Sequence, residues 1–393
     1  MRALFVHDHP FHEIDGTYYS SGALPAQIWE RYLNVFKNIT VVGRGRKGGD
    51  AGQLSFSSHP DVEFNLFYNV SGGIDYLRKR KAIKAHLEPL ILEADAVILR
   101  LPSFFGVAAA EICAKYDIKY AAEVVGCVWD SNRNYGTLTG KLRAPIAYLQ
   151  NRRAVNNSSA AIYVTKDFLQ KRYPNNSEIT SHASDVYINN FSLDVLHAHQ
   201  KYLQRSTDTY YLGLIANLQV KYKGFDVLFK ALQLIKGKTK FRIELQLIGG
   251  GNPAYVKKLI AQYNLSGMVN IIGLLPSGQK VFSALDKLDI YVHPSSQEGL
   301  PRAVIEAMAR ACPVLASSAG GIPELIDNRY LHKPGDYKKL AEQLLFYLHN
   351  KDELLKMSQE NFEKSKEYNR ETLDARRNAF WERTKDEVFN TQY

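Results

Sequence analysis

Short β-rich apolar runs alternate with longer helical patterns along nearly the whole of this chain, and after about position 200 the series starts again. Such alternation marks βαβ units, because a parallel neighbour can be reached only through a crossover, and a helix is the usual crossover. The first half offers strands over residues 3–7, 39–43, 62–68, 96–101, 120–125 and 160–165. The second offers 210–216, 242–248, 269–272, 290–293 and 313–316, with helical segments such as 225–235 and 253–263 between them. From residue 336 onward the pattern is helical and charged, through 340–349, 353–366 and 370–389. The reading is an α/β chain of two doubly wound halves, 1–200 and 201–375, with a boundary near 190–208 in a stretch rich in His, Gln, Ser and Asp. Two such halves facing each other form a cleft, and ligands of these sheets bind at the carboxyl ends of the strands.

A length of 393 residues suits two cores better than one. With 45% hydrophobic and 23% charged residues the composition is that of a folded globular chain. No stretch approaches the roughly 20 uninterrupted apolar residues of a membrane span, and the start meets charge at Arg2, His7 and Asp8 before a signal-peptide apolar region forms, so a cytoplasmic location is expected. Cys113, Cys127 and Cys312 lie far apart and indicate neither a zinc site nor a disulfide framework. The net charge of +10 favours anionic partners, and it is spread along the chain rather than held in a basic tail. Its densest run, Arg78 to Lys81 with Lys84, sits in an expected helix over 74–93 and reads either as a solvated face or as a patch for an anionic membrane. His7, His9 and His12 cluster in what reads as the first loop; no second carboxylate cluster accompanies them, and no metal is expected there.

The most informative stretch, residues 291–326, reads YVHPSSQEGLPRAVIEAMARACPVLASSAGGIPELI. A strand ends at His293, a polar loop follows, and Glu298-Gly299-Leu300-Pro301 opens a helix, proline being well suited to a first turn. Seven residues separate Glu298 from Glu306, a little over two helical turns, so both carboxylates fall near one side. Carboxylates accept hydrogen bonds from paired hydroxyls, as sugars and ribose present, while helix-terminal amides around Leu300 and Arg302 suit phosphate. The plainer alternative is a capping Glu298 and a solvated Glu306.

Together with Ala307-Met308-Ala309, Pro313-Val314 and Gly320-Gly321-Ile322-Pro323-Glu324, this segment resembles the Glu-x7-Glu signature of retaining glycosyltransferases of family 4, of the kind that build bacterial surface polysaccharides on a GT-B fold. The resemblance implies that Glu306 holds the ribose of a nucleotide-sugar donor and that Glu298 faces the transferred sugar, with Gly299, Leu300 and Pro301 alongside. Tyr222-Lys223-Gly224-Phe225-Asp226 resembles the family's Lys-Gly-x-Asp element, which makes Lys223 the cation for the departing diphosphate. Many relatives carry an arginine shortly before that lysine, whereas here Gly213 to Lys221 holds none; whether Asn217 or Lys221 replaces it stays open. Gly249 and Gly250 match the glycine turn after a strand, and Leu274 and Leu275 the segment that holds the base through backbone groups. In the first half, Gly22 matches a loop facing the donor; the family's histidine after a middle strand is missing, and Trp129 or Asp130 stands near its place. Residues 376–393 resemble the terminal helix that in GT-B proteins crosses back to the first domain.

The expected function is a retaining, metal-independent hexosyltransferase that moves a sugar from a nucleoside diphosphate sugar to an acceptor hydroxyl. Its acceptor is expected to be a lipid-linked or growing glycan, with peripheral contact to an anionic membrane, no cofactor and no nucleic-acid partner. No Asp-x-Asp pair occurs that would carry a divalent ion on the diphosphate. An epimerase or phosphorylase of similar fold and an inactive nucleotide-sugar-binding protein remain as alternatives. A nicotinamide-dependent oxidoreductase is disfavoured, because no Gly-x-Gly-x-x-Gly follows the first strand.

Overall fold

The computed structural model describes the chain apart from residues 22, 23, 72, 135–137, 190, 392 and 393. It forms two compact units, one of Met1–Trp129, Ala144–Ala183 and Leu373–Tyr393, the other of Asp130–Arg143 and Ser184–Thr372. Among the described residues the first unit carries nine strands: β1 (Arg2–Ile14), β2 (Thr17–Ser20), β3 (Asn38–Lys47), β4 (Ser55–Phe56), β5 (Val62–Tyr68), β6 (Ala96–Leu101), β7 (Ala121–Val124), β8 (Ala160–Tyr163) and β9 (Thr180–His182). Seven of them run parallel in the order β5-β3-β1-β6-β7-β8-β9. β1, 13 residues long, is more than twice the length of its apolar run at 3–7. Its register against β3 shifts between Val6 and Pro10, and beyond that bulge Phe11–Ile14 leaves β6 to pair antiparallel with β2. His7, His9 and His12 therefore lie in a strand rather than a loop, and each is separately engaged: His7 Nδ1 with Arg100 O at 3.0 Å, His9 Nε2 with Ser20 Oγ at 2.8 Å, and His12 Nδ1 with Gly48 O at 2.9 Å.

The core of this unit is aromatic. Phe5 meets Trp29 and Tyr32 edge-on, with ring centroids 5.4 and 5.3 Å apart. The end of the chain completes it: Trp381 is fully buried against Tyr32 and Phe36, Phe389 against Phe36, and the buried Arg377 donates to Ala183 O. Arg100 on β6 and Glu123 on β7 are register neighbours, paired at 2.7 Å with almost no exposure, and Tyr32 donates to the same carboxylate at 2.6 Å. On the helix Gly73–Leu92, Arg80 and Lys84 both pair with Glu111, and Lys79 reaches the Asn69 carbonyl, so much of the basic run serves internal contacts.

The second unit holds β10 (Thr209–Ile215), β11 (Arg242–Ile248), β12 (Val269–Gly273), β13 (Ile290–His293), β14 (Val314–Ser317) and β15 (Leu331–His332). All run parallel, in the order β12-β11-β10-β13-β14-β15. The chain leaves β10 towards one edge and returns at β13 to build towards the other, which makes the carboxyl ends of these two neighbours a topological switch point. The stretch expected to be a polar connection is instead the helix Leu193–Gln204, capped by Ser192 and burying Leu196, His199 and Leu203. Arg205 at its end forks onto the buried Asp289, which also accepts from the Tyr211 amide at 2.7 Å.

Replacing Glu123 by Ala leaves a buried guanidinium without its counter-charge. Urea or thermal unfolding is expected to show a loss of about 3–5 kcal/mol, whereas Arg80→Ala on the half-exposed helix face is expected to cost about 1 kcal/mol or less.

Candidate functional site

At the carboxyl end of β10 the chain makes a short 3-10 turn, Lys221–Lys223, then passes through Gly224 into the helix Phe225–Ile235. Gly224 has φ +80°, and a Cβ there would lie 2.2 Å from the Pro294 carbonyl oxygen, so only glycine lets this turn rest on the loop that leaves β13. Across that approach the Ser296 amide donates to Tyr222 O at 2.8 Å and Ser295 Oγ to the same oxygen at 3.0 Å. From the other side Gly320, φ +59°, lies against the Glu298 carbonyl, where a Cβ would come within 2.0 Å, and the Gly321 amide donates to Gly299 O at 2.8 Å. The backbone of Glu298 is thus gripped between the turns that follow β10 and β14.

Its side chain is gripped as well. Glu298 Oε1 accepts from Lys223 Nζ at 2.7 Å and lies 2.8 Å from His293 Nε2, while Tyr291 Oη lies 3.1 Å from His293 Nδ1. A carboxylate only accepts, so His293 Nε2 is the donor to it, and in the neutral ring Nδ1 accepts from the Tyr291 hydroxyl. Burial pushes the Glu298 carboxyl up, yet the charge of Lys223 and the His293 contact outweigh it and hold the group down at about 2. Burial works against the Lys223 ammonium too, and Glu298 more than restores it, so its pKa ends above the ordinary value. At neutral pH the two form an intact ion pair.

Glu306 sits on the second turn of the helix Arg302–Ala309, while Glu298 precedes that helix, in the loop. Pro301 occupies the position before the first turn, and no side chain caps the helix. The Glu306 carboxyl is pushed up by burial, countered in part by the charge of Arg302. Leu300 and Pro301 are buried, Gly299 half-buried. Beside this region Gly249, φ +149°, lies so close to the Ala216 carbonyl that a Cβ would stand 1.9 Å from it, and Gly250 faces Leu274, whose side chain is 64% exposed at the end of β12 next to Leu275. Asn217 Oδ1 accepts from the Gln219 amide in an Asx turn, and Lys221 is exposed with Nζ 5.6 Å from the Tyr255 ring centroid.

Of the first-half candidates, Gly22 lies outside the described residues. Trp129 packs edge-on against Tyr148 at 5.9 Å. Asp130 belongs to the second unit, and the next residue, Ser131, accepts from Gln297 Nε2 at 2.8 Å, next to Glu298. Three contributors escaped the sequence reading: His293, Tyr291 and Gln297. Alternation put the side chains of Tyr291 and His293 on one face of β13, but nothing in their spacing announced that the histidine would turn to Glu298.

The sequence profile described as Glycosyl transferases group 1 matches residues 198–364. Protein CapJ of Staphylococcus aureus is 33% identical over 346 residues, covering 87% of this chain and 85% of that protein. The amylovoran biosynthesis glycosyltransferase AmsK of Erwinia amylovora is 36% identical over 141 residues, 33% of this chain and 34% of that protein. Among solved structures, Anabaena HepE in complex with UDP and glucose superposes with a TM-score of 0.66 at 16% identity over all of both chains. Sucrose-phosphate synthase of Thermosynechococcus elongatus superposes at 0.70 with 13% identity, over 98% of this chain and all of that one. At such identities the likeness establishes the fold, which is that of GT-B proteins.

A carboxyl held below its ordinary value of 4.5 contributes stability that is in place above that pH and is lost as the pH falls towards about 2. Wild type is expected to lose on the order of 3 kcal/mol from this group across that window. In Glu298→Gln that part of the acid limb flattens, which unfolding midpoints measured at a series of acid pH values will show.

Proposed function

The chain belongs to the group 1 glycosyl transferases, and on that premise we propose that it moves a hexose-type unit from a nucleoside diphosphate sugar to an acceptor hydroxyl, with retention at the anomeric carbon and without a divalent metal. The observation that carries this reading is the Lys223–Glu298 pair at the switch point of the second sheet, one turn ahead of an uncapped helix N-terminus. The barrier to glycosyl transfer lies in separating a sugar cation from a diphosphate. Lys223 supplies a fixed positive charge where negative charge collects, and the amides at the start of the helix Arg302–Ala309 add partial positive charge on the same side. With its pKa at about 2, Glu298 stays anionic at working pH, so its part is to accept from sugar hydroxyls and to face the developing sugar cation rather than to deliver a proton. Glu298 also shields Lys223, and an incoming diphosphate takes over part of that cation.

In this reading Glu306 accepts from the ribose hydroxyls, whose donors relieve a carboxylate that burial disfavours. Gly249, Gly250, Leu274 and Leu275 line the nucleotide through backbone groups, and Lys221 stands where a second charge is wanted. The departing phosphate oxygen takes the proton of the acceptor hydroxyl as that hydroxyl attacks the anomeric carbon from the same face, so the proton and charge balance without an enzymic base. The acceptor is a lipid-linked or growing glycan, bound by the first unit near Trp129, and no cofactor takes part. UDP, which the HepE structure holds, is the first nucleotide to try.

A thermal-shift series with UDP, GDP, ADP and their sugars tests the donor half. One nucleotide is expected to raise the melting temperature of wild type and to fail with Glu306→Ala; equal responses from the two proteins would remove the ribose assignment. Lys223→Ala is expected to lower kcat for donor turnover by about 10²–10³-fold with a smaller change in KM. A donor that binds but never turns over with any glycan acceptor would instead mark a binding protein.

A further inference from the structure

The helix Leu138–Asn156 turns its apolar residues the wrong way for a surface helix. Ala144, Ala147, Asn151, Ala154 and Val155 are buried, so small residues form the inward face. Leu142, Ile146 and Leu149 point outward instead, 70, 61 and 62% exposed, at the i, i+4, i+7 spacing that aligns them in one stripe. Arg153 continues that stripe one turn on, Arg152 flanks it, and both are exposed. The segment contains no Asp or Glu. The remaining large exposed apolar side chains among the described residues include Leu77 on the basic helix Gly73–Leu92 and the pair Ile272 and Leu274 at the end of β12; no three of them share one helix face. An outward apolar ridge bordered by arginines needs an apolar partner with negative charge at its rim.

We propose that this helix docks the protein on an anionic lipid surface, with Leu142, Ile146 and Leu149 entering the boundary between headgroups and acyl chains and Arg152 and Arg153 meeting headgroup phosphates. No described helix is long and apolar enough to cross a membrane, so the contact lies in the interfacial plane. A second copy of the chain fits the ridge less well, because the same stripe on a partner offers no acid to the arginines of either copy. A bilayer satisfies both features at once. The inference gives the lipid-carried acceptor of the proposed reaction a surface on which to be met, and to that extent rests on that reading; adsorption itself requires neither donor nor acceptor.

The test is co-sedimentation of the full chain with vesicles of mixed phosphatidylglycerol and phosphatidylcholine, and with phosphatidylcholine alone. Wild type is expected to bind the anionic vesicles in preference to the neutral ones, less so as salt rises. Leu142→Ser/Ile146→Ser/Leu149→Ser is expected to bind them roughly tenfold or more weakly, and Arg152→Gln/Arg153→Gln to lose the preference for phosphatidylglycerol. The substituted side chains are all exposed, and an unchanged melting temperature and nucleotide response confirm intact folds. Absence of binding at low salt, equal binding by the triple variant, or a wild-type dimer that the triple variant turns into monomers without vesicle binding would each overturn the proposal. Vesicle binding without any nucleotide response would instead count against the donor assignment alone.

Discussion

A carboxylate placed out of water is costly unless something answers its charge, and the second unit is organised around answering Glu298. Lys223 comes from the turn after β10 and His293 from the end of β13, strands adjacent in space whose register partners Leu212 and Ile290 are 78 residues apart in sequence because the sheet reverses its direction of growth between them. For both groups to reach one oxygen, the loops must touch backbone to backbone, and Gly224 and Gly320 are the positions at which a side chain would forbid it. Sheet order, glycine placement and the ion pair are therefore one constraint seen at three scales.

That constraint also sorts the two glutamates by environment. Glu298 is surrounded by donors and kept anionic, whereas Glu306, on the second turn of the helix that follows, is desolvated with Arg302 offsetting that in part. Two identical side chains in one motif consequently have opposite electrostatic characters, one stabilised as a charge by the protein itself and the other disfavoured as one. The division matches a site in which one acidic group faces a cation and the other waits for hydroxyl donors.

Much of this was legible in the sequence because it is local. The strands of the second half, the helix after Lys223, and the loop-to-helix passage at Glu298–Pro301 follow from short-range periodicity and from proline and glycine punctuation. What was not legible depends on contacts between distant positions or on tertiary pairing. The hydrogen bond from Gln297 to Ser131 joins residues 166 apart, and no spacing rule connects them. β1 runs on past its apolar stretch because β2 and β3 supply partners for residues that read as a polar loop. The helix Leu193–Gln204 passed for a connection because its three buried positions are diluted by His, Gln and Asp, and His199 is itself one of them.

The first unit is begun before the second and finished after it. Tyr32 and Phe36 wait for Trp381 and Phe389, which leave the ribosome only after the whole of the other unit has been made. Until then the nascent chain carries an aromatic hollow open to solvent or to whatever chaperone shields it. Termination between Thr372 and Trp381 would leave the second sheet whole and the other unit permanently unsealed.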